Sequence, residues 1–143
     1  MIKYNIDKRV DYNKLIILFN QVGWNDKTKD LDRLKGMVEN SQIVVTAWDE
    51  EEMVGFSRCT TDYVFNGQIN NVVVDANYRR LGIGKALINN ILNSSNQVTY
   101  MLRGSIRNEE FYRGLGFEVG PISLVYKRIR WKIMRIGFVI KEL

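Results

Sequence analysis

Residues 72 to 87 hold the strongest constraint on how this chain folds. Val72-Val73-Val74 is a β-branched apolar triplet, and Asp75-Ala76-Asn77-Tyr78-Arg79-Arg80-Leu81-Gly82-Ile83-Gly84 is a polar, glycine-bearing turn. Lys85-Ala86-Leu87-Ile88 then opens a run with apolar residues at Leu87, Ile88, Ile91 and Leu92. The triplet predicts a buried strand and the later spacing an amphipathic helix. A helix N-terminus offers unbonded N–H groups and the positive end of a dipole. Glycines let a phosphate approach those groups without a Cβ in the way, and Arg79 and Arg80 add charge. The run is thus expected to form a strand, an anion-binding turn and a helix. The turn fits neither the Walker loop nor the dinucleotide Gly-x-Gly-x-x-Gly pattern. Two glycines alone serve equally well as a helix start packed close to a sheet.

The remaining chain alternates short strand and helix patterns. Strands are expected at 2–6, 42–48, 53–61, 68–75 and 98–102. Helices are expected at 12–21 with Asp11 as N-cap, from Thr28 or Asp30 to Val38, from Lys85 to about Asn93, and at 108–115. Asn66-Gly67 reads as a turn. Phe117 onward reads as a returning strand, with a last one near 123–128. This order predicts a mixed sheet with helices on both faces.

Two segments carry a family resemblance. Arg79-x-x-Gly82-x-Gly84, directly after Val72-Val73-Val74-Asp75, resembles the acyl-CoA signature of the GNAT N-acetyltransferase superfamily. Phe111-Tyr112-Arg113-Gly114-Leu115-Gly116-Phe117 resembles that family's Phe-Tyr-x-x-x-Gly-Phe, in the correct order downstream. The resemblance implies an α/β (α+β) GNAT-like fold over residues 1–128, with a mixed, mostly antiparallel sheet. Its fourth and fifth strands splay apart around acetyl-CoA, the donor cosubstrate. Val72, Val73 and Val74 would hold the pantetheine arm through main-chain groups, as an added strand does. Arg79, Arg80, Leu81, Gly82, Ile83, Gly84 and Lys85 would surround the pyrophosphate. As side chains, the valines and Ile83 are read as core.

Acetyl transfer to an amine needs a neutral nucleophile, a donor for the developing oxyanion and a proton for the leaving thiolate. Tyr112 matches the family's general acid, since a phenol keeps its proton at neutral pH; read without the family, it is equally a packing aromatic. A backbone N–H near Val72 or Val73 is the expected oxyanion donor. The chain has no histidine, so the base is Asp62, Asp75, Glu109 or ordered water, with Asp62 preferred. Two positions depart from the family pattern: Ser105 replaces a CoA-contacting Asn, and Ala76 replaces a Pro. The alternatives are a non-catalytic acyl-CoA sensor and a nucleotide-binding module using the glycine turn alone.

The acceptor is expected to be a small-molecule or peptide amine, with Phe19, Trp24, Tyr63, Phe65 and Tyr126 as candidate walls. Residues 55–67 are similar to a branch containing plant-type serotonin N-acetyltransferases. There an Asp matching Asp62 lies near the amine, and an Asp often stands where this chain has Asn71. The resemblance implies an arylalkylamine or other small primary amine.

The length of 143 residues fits one domain. The net charge of +5 is carried entirely by residues 127–143, with six basic side chains against one acidic. The domain itself is neutral and is not expected to bind nucleic acid. No apolar run is long enough to span a membrane, and residues 1–20 hold no apolar signal segment. One cysteine and no histidine argue against a metal site and suggest a cytoplasmic protein. Residues 129–143 alternate basic and apolar side chains. They are read as an extra edge strand, a homodimer arm or a surface-binding segment, with packing on the domain or a dimer mate favoured.

Overall fold

In the computed structural model the described residues are 1–128. The expected extension at 129–143, with its packing on the domain or a dimer mate, lies outside them. The order is β1 (Ile2–Asn5), α1 (Tyr12–Gln21), α2 (Leu31–Glu39), β2 (Ile43–Asp49), β3 (Glu52–Thr61), β4 (Asn66–Val74), α3 (Ile83–Leu92), β5 (Thr99–Leu102) and α4 (Glu109–Gly114). The strands lie side by side in sequence order. The first four are antiparallel, and β5 runs parallel to β4 after the α3 crossover.

Helices α1 and α2 cover one face of this sheet and α3 the other. Asp11 and Asp30 cap α1 and α2 by accepting from the Lys14 and Arg33 amides, each contributing about 1 kcal/mol. Leu15, Leu18, Phe19, Leu34 and Val38 pack on Val44, Met53, Phe56 and Val73. Phe19 sits edge-on to both Trp24 and Phe56. Across the sheet, Ile83, Leu87, Ile88 and Ile91 of α3 pack on Val45, Ala47, Val54, Cys59 and Ile69. No helix among the described residues is long and apolar enough to cross a membrane.

A bulge in β4 positions everything that follows. Phe56 pairs with Val73 and Arg58 with Asn70, so β4 carries one residue more than β3 between these pairs. Asn71 takes the strain, with φ +54, a conformation asparagine tolerates better than most residues. The bulge reverses the alternation of faces. Ile69 and Val72, three residues apart, both face α3, whereas Val73 faces α1 and α2. β5 pairs only with Asn66 to Ile69. From Asn70 onward β4 has no ladder partner in β5, as the expected splay requires.

Three local expectations need correction. Asn66 and Gly67 are in β4, not in a turn. The turn is Asp62 to Phe65, where Tyr63 has φ +62. Gly67 is bare because Tyr100 lies over it: a Cβ there would stand 2.8 Å from Tyr100 Cδ1. Second, no strand forms over 117–128. Alternation cannot supply a ladder partner, and Ile122, Leu124 and Tyr126 stay exposed. Third, Phe19 is fully buried and walls no pocket, while Trp24 packs beside it at the core's edge.

Candidate functional site

The glycine turn hangs from a small polar network. Asp75 is almost fully buried, and its amide donates to Val54 O at 2.8 Å. Its carboxylate accepts from the Asn77 amide at 2.9 Å and from Lys14 Nζ at 2.7 Å. Lys14, in the first turn of α1, also reaches Glu52 Oε1 at 2.8 Å. The Ala76 amide donates to Gln21 Oε1, and Tyr78 Oη donates to Asp49 Oδ2 at 2.8 Å. That hydrogen bond pushes the Tyr78 phenol up to about 12. Burial opposes both charges of the Lys14–Asp75 pair. Their hydrogen bonds outweigh it, so the ammonium titrates above its ordinary value and the carboxyl below. The turn is thereby tied to α1 and to the β2–β3 hairpin.

Beyond this anchor Arg80 has φ +64 and Gly82 φ +82. Gly82 is the N-cap of α3 without a side-chain bond, and the first intrahelical acceptance at this end is Ala86 N to Gly82 O. The amides of Ile83, Gly84 and Lys85 are therefore the first-turn donors open to a ligand. Val74, Tyr78, Arg79, Arg80, Gly82, Ile83, Gly84, Lys85 and Phe111 line a cavity of about 290 Å³. Leu81 is exposed, while the Ile83 side chain is core. Arg79 Nε donates to Val74 O at 3.3 Å. Bare glycines, free helix amides and two arginines fit a pyrophosphate.

The second motif meets the first at Phe111. A Cβ at Gly84 would stand 3.7 Å from Phe111 Cζ and 3.8 Å from Val74 Cγ2. Tyr112, the next residue, is half-buried against the α3-side core, edge-on to Phe111 and Phe117 with centroids 5.1 and 5.8 Å away. Burial raises its pKa. Its hydroxyl makes no hydrogen bond to a described residue. Val72 and Val74 face the same side as Tyr112, and Val73 the other. On their β5 side, Asn70 to Val74 have no ladder partner among the described residues, leaving backbone groups open to an added strand.

Asp62 lies elsewhere. Its Oδ1 accepts from the amides of Val64, Phe65 and Asn66 at 2.8, 2.8 and 3.1 Å. These bonds, that of Val64 foremost, hold its carboxyl below the usual range. It borders a separate open cleft with Thr60, Gln68 and Met101. The geometry makes it a hairpin cap. Glu109 faces Arg113 one turn on, and Ser105 begins a short 3₁₀ turn without a side-chain cap. Tyr63 and Phe65 are exposed on the hairpin, with Tyr63 Oη donating to Gln42 O. Lys14 and the Arg58–Asn71 contact were not legible in sequence, because their partners meet only in space.

Comparison with known proteins gives consistent likenesses. Residues 10–117 match the model of the Acetyltransferase (GNAT) family. "Histone acetyltransferase TAP1" of Glycine max is 32% identical over 128 residues, covering 78% of this chain and 54% of that protein. "GCN5-related N-acetyltransferase 2, chloroplastic" of Arabidopsis thaliana is 28% identical, covering 78% and 52%. "Serotonin N-acetyltransferase 2, chloroplastic" of Oryza sativa subsp. japonica is 30% identical, covering 80% and 60%. The chain spans about half the length of the first of these relatives. Among solved structures, a putative acetyltransferase of the GNAT family from Xanthomonas campestris pv. campestris superposes with a TM-score of 0.76 at 19% identity. That match covers 90% of this chain and 94% of the other, and at this identity it speaks for the fold. The relatives named chloroplastic overturn the cytoplasmic location expected from cysteine usage. Cys59 is fully buried, and burial pushes its thiol up to about 11. Such a thiol reports its packing and not its compartment.

Proposed function

This chain belongs to the acetyltransferase (GNAT) family, and we propose that it transfers acetyl from acetyl-CoA to a primary amine within a ternary complex, with Tyr112 as general acid. One observation carries this reading. Phe111 lines the cavity at the start of α3, so the glycine turn and the segment bearing Tyr112 border one cavity. Acetyl-CoA supplies an activated thioester when bound. Arg79, Arg80 and the amides of Ile83, Gly84 and Lys85 hold its pyrophosphate. The free edge of Val72 to Val74 pairs with the pantetheine arm, and an amide near Val72 or Val73 faces the developing oxyanion. Tyr112 Oη keeps its proton until a leaving sulfur requires it.

Asp62 was the preferred base on sequence grounds. Its engaged Oδ1 and lowered pKa favour a cap, and the amine proton then leaves through water. Asp62→Asn keeps an acceptor oxygen and removes the charge. In this reading kcat changes less than about threefold, read from the initial rate at saturating amine; a fall of about 100-fold, the scale of general-base catalysis, would restore Asp62 as base.

The deciding experiment is thiol release from acetyl-CoA with a panel of arylalkylamines, polyamines, amino acids and lysine-containing peptides. The arylalkylamines and peptides follow the serotonin and histone acetyltransferases among the relatives. Turnover on any of them supports the proposal. Binding of acetyl-CoA without turnover on any would make the protein a sensor.

A further inference from the structure

Arg58 is half-buried and forms no ion pair with a described residue. It lies in β3 opposite Val44 and Asn70, so its side chain is on the α1/α2 face, since directly paired residues share a face. Nε donates to Asn71 Oδ1 at 2.8 Å, and Nη1 lies 3.4 Å from Ser41 Oγ. Both partners are neutral, and they fix the direction of the guanidinium while leaving Nη2 without an acceptor among the described residues. Burial draws its pKa below that of an ordinary arginine. A guanidinium partly withdrawn from water, without a countercharge, is unfavourable unless an anion answers it.

Its position gives that anion a meaning. Asn71 is the bulge residue and lies in the part of β4 beyond its pairing with β5. The fork therefore borders, through Asn71, that unpaired stretch of β4, with Arg58 on the face opposite α3. Thr60 and Gln68 pair across the sheet on the same face as Arg58 and Asn70, and all but Arg58 are neutral. Asp62, the acid on this hairpin, lies about 13 Å farther along β3 at the usual rise per residue. One fixed guanidinium among neutral hydrogen-bonding side chains matches a single carboxylate. A phosphate dianion calls for a second cation.

We infer that Arg58 receives a carboxylate of the acceptor, so that the amine this protein acetylates belongs to an amino acid or another carboxylate-bearing amine. The inference rests on the acetyltransferase reading, and its test separates the two. Matched probes are tryptophan against tryptamine and 4-aminobutyrate against butylamine. In at least one pair the carboxylated member is expected to have a kcat/KM at least tenfold higher. Asn71→Asp keeps the bond to Arg58, tolerates the left-handed backbone and places an internal carboxylate on the fork. It is expected to bring that ratio near one with a Tm no lower than the parent's. Calorimetric titration of tryptophan and 4-aminobutyrate into the CoA-bound protein gives a readout independent of turnover. Their Kd should rise at least tenfold in Asn71→Asp. If neither acid binds while a neutral amine is acetylated, or if Asn71→Asp leaves preference and Kd unchanged, the inference falls and the acetyltransferase reading stands. If the acids bind through Arg58 and no amine is acetylated, the acetyltransferase reading falls instead.

Discussion

Replacing Tyr112 by phenylalanine is expected to lower kcat by about 100-fold or more, the range for loss of a positioned general acid, with the Kd for CoA within about twofold of the parent. The ring is held by edge-on contacts with Phe111 and Phe117, which phenylalanine preserves. The lost hydroxyl makes no hydrogen bond to a described residue, so the fold loses no bond with it. Burial raises the Tyr112 pKa above 10.0. The phenol thus stays protonated throughout the neutral range, and the alkaline limb of kcat should begin above pH 10 and vanish in the variant. Thiol release at saturating amine and a CoA titration decide it. Unchanged turnover would show that Tyr112 only packs.

Lys14→Met is expected to cost about 3 kcal/mol of stability, the usual scale for removing one partner of a buried ion pair. The Asp75 side chain is 4% exposed and that of Lys14 16%, so the change strands a carboxylate that water barely reaches. Glu52 is half exposed and rehydrates at little cost. The pH dependence follows from the two shifts. The depressed Asp75 pKa contributes stability above the unfolded value of about 3.9 that drains away as pH falls through the folded value. The raised Lys14 pKa contributes stability below about 10.4 that is lost as pH rises through its folded value. Lys14→Met loses the alkaline contribution entirely. Acid unfolding then begins at higher pH, because the stranded carboxyl takes up its proton sooner. Asp75 also anchors the glycine turn, so CoA should bind several-fold more weakly. Urea unfolding across pH, paired with CoA titration, tests both; a stability loss below about 1 kcal/mol would show the pair to be incidental.

Much of this architecture was legible in local sequence because local physics governs it. Asp11 and Asp30 stand where helix N-termini need an acceptor, and both cap. The apolar spacing of 87–92 and the β-branched triplet at 72–74 named helix and strand correctly. Where one residue answers two needs, local reading failed. Gly67 looked like a turn residue, yet its missing Cβ makes room for Tyr100. Phe19 is a candidate pocket wall by sequence, yet α1 turns it into the core. The alternation over 117–128 suggested strands, but a strand exists only with a partner.

The sequence by itself determined the order of elements up to α4 and the two family motifs, because spacing along one chain encodes helix faces, strand alternation and glycine turns. Only the tertiary structure decided where those motifs meet, how α1 steadies the glycine turn and what holds the Arg58 guanidinium. Lys14 and Asp75 are 61 residues apart, and Arg58 finds Asn71 and Ser41 only once the bulge forms. Hydrogen bonds and ion pairs depend on distance in space, which no local pattern carries.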